Sequence, residues 1–100
     1  MTDELRILPL AEPRSYSVAG ELDASTANQL TEVLRGEGRA PGDVVLDIAG
    51  VTFMDSSGVH VLLVGTEWLR DGHLILRNPT PPIDKVFELV DIERVKGIRV

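Results

Sequence analysis

Val44-Val45-Leu46-Asp47-Ile48-Ala49-Gly50-Val51-Thr52-Phe53-Met54-Asp55-Ser56-Ser57-Gly58 is the stretch on which the fold turns. Val44 to Ile48 is apolar except for Asp47, short and rich in β-branched side chains. That pattern predicts a strand buried on both faces. A connection through Gly50, Phe53 and Met54 follows. The segment Asp55-Ser56-Ser57-Gly58 then opens a helix expected to reach about Arg70. An Asp suits such a start because its carboxylate accepts from the unpaired amides of the first turn. Spaced at about 100° per residue, Val59, Val61, Leu62, Leu63, Gly65, Thr66, Trp68 and Leu69 cover more than half of the helix. His60, Val64, Glu67 and Asp71 share the remaining arc. A helix this apolar packs centrally, and Gly72 is expected to stop it.

Upstream, Leu5 to Leu10 reads as a short strand with Pro9 marking an edge or an end. Ala11 to Arg14 is a turn. Ser15 to Leu22 alternates, with Tyr16, Val18, Gly20 and Leu22 on one face, and predicts a strand hairpin-paired with the first. Asp23 is expected to cap a helix carrying Ala27, Leu30, Val33 and Leu34 and ending at Gly36. Gly36 to Gly42 is a polar loop. Downstream, His73 to Arg77 reads as a strand. Thr80 caps a third helix with Pro81 at its first position and an apolar stripe of Ile83, Val86, Phe87 and Val90. Ile98 to Val100 can add a last strand. Helices between strands imply parallel crossovers. The expectation is therefore one α/β domain over residues 1–100, with a mixed, mostly parallel sheet of roughly four to five strands and interspersed helices. The pattern leaves open whether the helices cover one face or both.

Composition narrows the function. The chain has 100 residues, a 43% hydrophobic fraction and no cysteine. It is long enough for one two-layer core, and thiolate chemistry and Cys-based zinc sites are excluded. The net charge is −6 with no Lys/Arg cluster. That field repels phosphate backbones and acidic lipid, so neither nucleic acid nor a membrane surface is an expected partner. Met1-Thr2-Asp3-Glu4 lacks the basic start of a signal peptide, and the longest apolar run is too short to span a bilayer. A cytoplasmic location is the expectation.

The loops that follow parallel strands gather at one sheet edge, where control sites are favoured. Asp23 follows the second strand and Asp55 to Gly58 follow the third. If those strands are neighbours, Asp23 and Asp55 approach Ser57. A phosphate on Ser57 would bring about −1.5 to −2 charges to a helix start. The helix end favours an anion, whereas the two carboxylates repel it. Gly58 would let a partner approach the backbone. On local chemistry alone, Asp-Ser-Ser before an apolar run reads first as an ordinary capped helix start.

These segments resemble a known family. Val44 to Ile48 and then Gly50 to Gly58 are similar to the signature of the STAS-domain anti-sigma factor antagonists. Gly20-Glu21-Leu22-Asp23 resembles that family's second signature. Asn78-Pro79-Thr80-Pro81-Pro82 with Val86-Phe87-Glu88-Leu89 resembles its third-helix entry. The likeness covers residues 15–100. It implies that Ser57, just before the motif glycine, is the phosphoacceptor. It also implies that Asp23, Asp55, Ser56, Ser57, Gly58 and His60 form the partner-binding site. By the same resemblance, the unphosphorylated domain binds an anti-sigma factor serine kinase and frees a sigma factor. Phosphorylation ends that contact, and a metal-dependent serine phosphatase restores it. ATP and Mg²⁺ belong to the kinase, so this chain needs no cofactor.

Two positions depart from the family pattern. Many relatives carry Leu-Gly after the motif glycine, where this chain has Val59-His60. Near the end of the third helix relatives often have Gly, where this chain has Asp91. His60 falls on the polar arc, where it is either a solvated surface group or a device that tunes partner choice or pH response.

Three other readings compete. A serine hydrolase would need a nucleophile, base and orienter from Ser57, His60 and an Asp, but no Gly-x-Ser-x-Gly elbow or oxyanion hole is evident. A STAS scaffold or a small transporter subunit would bind without a phospho-switch, yet such relatives often lack the serine that is present here. Asp23, Asp55 and His60 do not form a recognised metal-ligand spacing.

Overall fold

A computed structural model describes residues 4–100; the acidic start at Met1, Thr2 and Asp3 lies outside the described residues. In chain order the elements are β1 (Arg6–Pro9), β2 (Ser15–Leu22), α1 (Ala27–Glu37), β3 (Val44–Met54), α2 (Ser56–Trp68), β4 (Leu74–Arg77), α3 (Pro81–Leu89), a 3₁₀ turn (Ile92–Arg94) and β5 (Ile98–Arg99). The five strands form one sheet in the order β1-β2-β3-β4-β5. β1 and β2 pair antiparallel, and every later pair is parallel. The expected mixed, mostly parallel α/β sheet is therefore observed, with its last strand in place.

Register explains how the core is assembled. Tyr16, Leu46 and Leu76 lie side by side across β2, β3 and β4. Val44, Leu74 and Ile98 form the next row. These side chains join Leu30 and Leu34 of α1, Leu62 of α2, and Ile83 and Phe87 of α3 in one hydrophobic cluster. The helices thus cover one face of the sheet. The opposite face carries the rows Ser17, Asp47, Arg77 and Ser15, Val45, Ile75, Arg99. Successive strand residues point to opposite faces, so one row cannot face the core without the next facing away.

Several boundaries differ from the sequence reading. β3 continues through Val51 to Met54 instead of ending at Ile48. The segment read as a connection pairs with β2, as Gly50 with Ala19, Val51 with Gly20, Phe53 with Glu21 and Met54 with Leu22. Two irregularities in this ladder absorb the extra residues and break the alternation that would have marked the strand. α1 runs through Gly36 and ends at Glu37, with Gly38 as its cap. The requirement for glycine falls at Gly38, because a Cβ there would sit 2.4 Å from the Trp68 carbonyl oxygen, whereas nothing lies near Gly36. α2 stops at Trp68, ahead of the expected Arg70 and Gly72, where Leu69 turns to an extended conformation.

At the other end, β1 is shorter than the expected Leu5 to Leu10, and Leu10 instead donates to the Ser15 carbonyl to close the hairpin. β4 begins at Leu74 and β5 ends at Arg99. Pro81 opens α3 as expected, but Thr80 caps it without a side-chain hydrogen bond, and Val90 lies past the helix end and is exposed. Asp91, which stands where relatives often have Gly, adopts a left-handed conformation with φ 53°. Asp tolerates that region better than most residues, though less easily than Gly.

Candidate functional site

The parallel pairing of β2 with β3 brings their carboxyl ends together. Leu22 pairs with Met54, and the Asp55 amide donates to the Leu22 carbonyl at 3.3 Å. The sequence reading made the approach of Asp23 and Asp55 conditional on this neighbourhood, and the condition holds. The loop from β2 to α1 and the mouth of α2 form one corner of the molecule.

Asp55 caps α2. Its Oδ1 accepts from the Ser57 amide at 2.9 Å and the Gly58 amide at 3.2 Å. Two of the first-turn amides are thereby occupied. The anion-binding capacity expected of this helix mouth is already largely used by the chain's own carboxylate.

Asp23 does not cap α1 in the expected way. Thr26 is the N-cap, and Asp23 organises the turn ahead of it. Asp23 Oδ1 accepts from the Ser25 hydroxyl at 2.7 Å and from the amides of Ser25 and Thr26 at 2.9 and 3.2 Å. The Ser25 hydroxyl and these amides hold the Asp23 carboxyl below its ordinary range. In return, the Asp23 amide donates to Thr26 Oγ1 at 3.0 Å, and that hydroxyl donates to the Glu21 carbonyl at 2.7 Å. Thr26 is buried and was missed as a positioning residue. The Asp-x-x-Thr spacing was the available signal, because groups three apart can satisfy each other's backbone donors at a helix entry.

Gly58 plays a different part from the one expected. It is buried, and a Cβ there would lie 2.7 Å from Met54 Cγ, 2.8 Å from the Leu22 carbonyl oxygen and 2.9 Å from Leu22 Cγ. The close approach at this glycine is made by β2 and β3, not left open to a partner. Its absent side chain lets the mouth of α2 sit down on the strand ends.

Ser57 is half-buried, Ser56 and His60 are exposed, and Ser57 Oγ makes no hydrogen bond to a described residue. Two depressions flank the first turns of α2. One, of about 510 Å³, is lined by Ala24, Ala27, Ser56, Ser57, His60 and Val61. The other, of about 370 Å³, is apolar and lies towards α3, with Met54, Val59, Leu63, Val86 and Val90 along it and Asp55, Ser56 and His60 at its margin. Ser56 and His60 border both, whereas Ser57 faces only the side towards α1. The contributions of Ala24, Ala27, Val86 and Val90 were not read from the sequence, since they depend on how α1 and α3 pack beside α2.

No hydrogen bond joins Ser57 to His60, and the Asp55 carboxylate is engaged with backbone amides. Among the described residues no three His, Asp or Glu side chains converge as metal ligands, and no helix is long and apolar enough to cross a membrane.

Comparison with known proteins agrees with this architecture. Residues 10–99 match the family model of the STAS domain. An anti-sigma factor antagonist from Mycobacterium paratuberculosis has a similar fold, with a TM-score of 0.78 at 22% identity, covering 96% of this chain and 86% of its own. The anti-sigma factor antagonist SpoIIAA in its unphosphorylated form gives 0.64 at 27% identity, covering 94% and 99%. The Bacillus cell fate determinant SpoIIAA in its phosphorylated form gives 0.61 at 22% identity, covering 96% and 91%.

Proposed function

Since the chain belongs to the STAS domain family, we propose that it is an anti-sigma factor antagonist that acts by binding, not by catalysis, and is switched by phosphorylation at Ser57. The observation that carries this reading is the setting of Ser57. Its hydroxyl makes no hydrogen bond to any described residue, and it sits in the first turn of α2, at the corner where β2 and β3 end. The likeness to structures of an antagonist in phosphorylated and unphosphorylated forms supports it further.

The unphosphorylated corner binds an anti-sigma factor that is also a serine kinase, and this frees a sigma factor. Asp23, Asp55, Ser56, Ser57, Gly58 and His60 form or shape the contact surface. The kinase transfers the γ-phosphoryl group of its own ATP. Ser57 Oγ forms the new bond to phosphorus, the bond to the β–γ bridging oxygen breaks, ADP leaves, and the hydroxyl proton goes to a base on the kinase. A metal-dependent serine phosphatase reverses the modification.

The added charge has no place inside the helix mouth, because Asp55 already occupies the Ser57 and Gly58 amides. The phosphate therefore stays on the surface, leaves the fold intact and changes what can dock. Incubation with a cognate anti-sigma kinase and Mg-ATP is expected to add one phosphate at Ser57, mapped by mass spectrometry and absent in Ser57→Ala. Ser57→Asp should lose kinase binding with an unchanged circular dichroism spectrum. Modification at another serine, or an unfolded Ser57→Asp, would overturn the assignment.

A further inference from the structure

The phosphate that the proposed function places on Ser57 raises a question of charge balance, and the inference drawn from it rests on that reading. Two amides of the α2 mouth are taken by Asp55. Of the described residues lining the depression that Ser57 faces, Ala24, Ala27, Ser56 and Val61 carry no charge. The depression on the α3 side adds Asp55, a negative group, and otherwise apolar side chains, including Val86 and Val90 of the α3 region. Among the described residues no Lys or Arg lines either one. The single described residue of both linings that can become positive is His60.

We infer that His60 is the intramolecular partner of phosphorylated Ser57, pairing with the phosphate across one turn of α2 and making the charge of the switched corner depend on pH. The residues are three apart on one helix, where side chains are neighbours, and the anion is N-terminal to the cation, the favourable order. Both border the same open depression, so the phosphate and the imidazole can meet without displacing packed side chains. An imidazole ordinarily gains its proton near pH 6.5, and a phosphoserine takes up its second proton near pH 6. Each charge favours the other, so the pair is strongest at about pH 6 to 7. Above that window the imidazole is neutral and the phosphate stands alone; below it the phosphate loses half its charge.

Among the described residues that share a depression with His60, Asp55 is the one other charged group besides the phosphate. The described residues lining the same two depressions are Ala24 and Ala27 on the α1 side, Val86 and Val90 on the α3 side, and Ser56, Ser57 and Leu63 on its own helix. Asp55 is the one carboxylate among the described residues of either lining; its Oδ1 accepts from backbone amides, and its charge is the same with and without the phosphate. His73, the other histidine, lies just ahead of β4 with its Nδ1 3.5 Å from Asp43 Oδ1.

The test uses the full chain with phosphoserine incorporated at position 57 during translation, so that no kinase is needed. The second ionisation of the phosphate is followed by phosphorus NMR in the native chain and in His60→Gln. The native chain is expected to titrate about half a pH unit lower than the variant, with the two curves merging above pH 8. By reciprocity the His60 ring resonances should titrate higher in the phosphorylated than in the unphosphorylated chain, with those of His73 as an unmoved internal reference. Coincident phosphate titrations in the native chain and His60→Gln would overturn the inference and leave the assignment of Ser57 as phosphoacceptor standing. Failure of a kinase to modify Ser57 would bear on that assignment alone.

Discussion

Gly58 shows how much of the corner depends on the absence of one methyl group. Its missing Cβ is the space into which Met54 Cγ, Leu22 Cγ and the Leu22 carbonyl close, all within 3 Å of where that carbon would be. The carbonyl belongs to a paired strand and cannot swing aside as a side-chain end can. Gly58→Ala is therefore expected to lose about 1–3 kcal/mol of stability by overpacking, measured as a lower urea midpoint. It should also impair binding at Ser57 by tilting the first turn of α2. Full stability in Gly58→Ala would mean that the strand ends are looser than this packing requires. At this scale the sequence was partly legible. Asp55 followed by two serines announces a cap by local chemistry, and the cap is there. Thr26 and the true role of Gly58 were hidden because their partners, Glu21, Leu22 and Met54, are set by strand pairing.

Between elements, the end of α1 is fastened to β2 by a small polar group. The Tyr16 hydroxyl donates to a carboxylate oxygen of Glu37, and Arg14 pairs with the other at 3.2 Å. Arg14 also donates to the carbonyls of Gly42 and Asp43, tying in the loop before β3. The hydrogen bond to Glu37, then burial, then the charge of Glu37 push the Tyr16 phenol up to about 12. A phenolate would lose the donated bond and face a carboxylate. This fastening therefore stabilises the fold fully below the unfolded phenol value near 10, and its contribution is lost as pH rises from about 10 to about 12. Tyr16 is the one tyrosine in the chain, so the near-ultraviolet absorbance change on phenol ionisation reports it alone. Native protein should ionise near pH 12, and Glu37→Gln should bring the midpoint back towards 10. An unmoved midpoint in that variant would refute the assignment. The elements themselves were read best where apolar residues run unbroken, as in Val44 to Ile48. The rest of β3 was lost because Ala49 and Gly50 interrupt the pattern and Thr52 and Phe53 are exposed. Only β2, more than twenty residues away in the chain, makes that segment a strand.

Across the whole molecule, one hydrophobic cluster contains side chains from the sheet and all three helices. Such a core should melt as a unit. Trp68, the one tryptophan, packs against this cluster and lies 5.2 Å below the Arg35 guanidinium of α1. Its fluorescence and the far-ultraviolet circular dichroism should follow a single superimposable urea transition, with a slope of about 1 kcal/mol/M. Separate transitions would mean that the α1–α2 corner opens ahead of the sheet. The α/β class and mixed sheet were evident from the alternation of short apolar runs with capped helices. The one-sided helical cover was not, because it depends on register, which the pattern leaves unfixed wherever bulges intervene.

The spatial order of the strands is also their order along the chain. During synthesis each new strand can therefore be added at the free edge left by the one before it, and none has to be threaded between two that are already joined. The corner that carries Ser57 is complete once β3 has zipped against β2 and α2 has emerged, with β4, α3 and β5 still to come. A nascent chain stalled beyond α2 already holds, in its own sequence, every residue that borders the depression around Ser57.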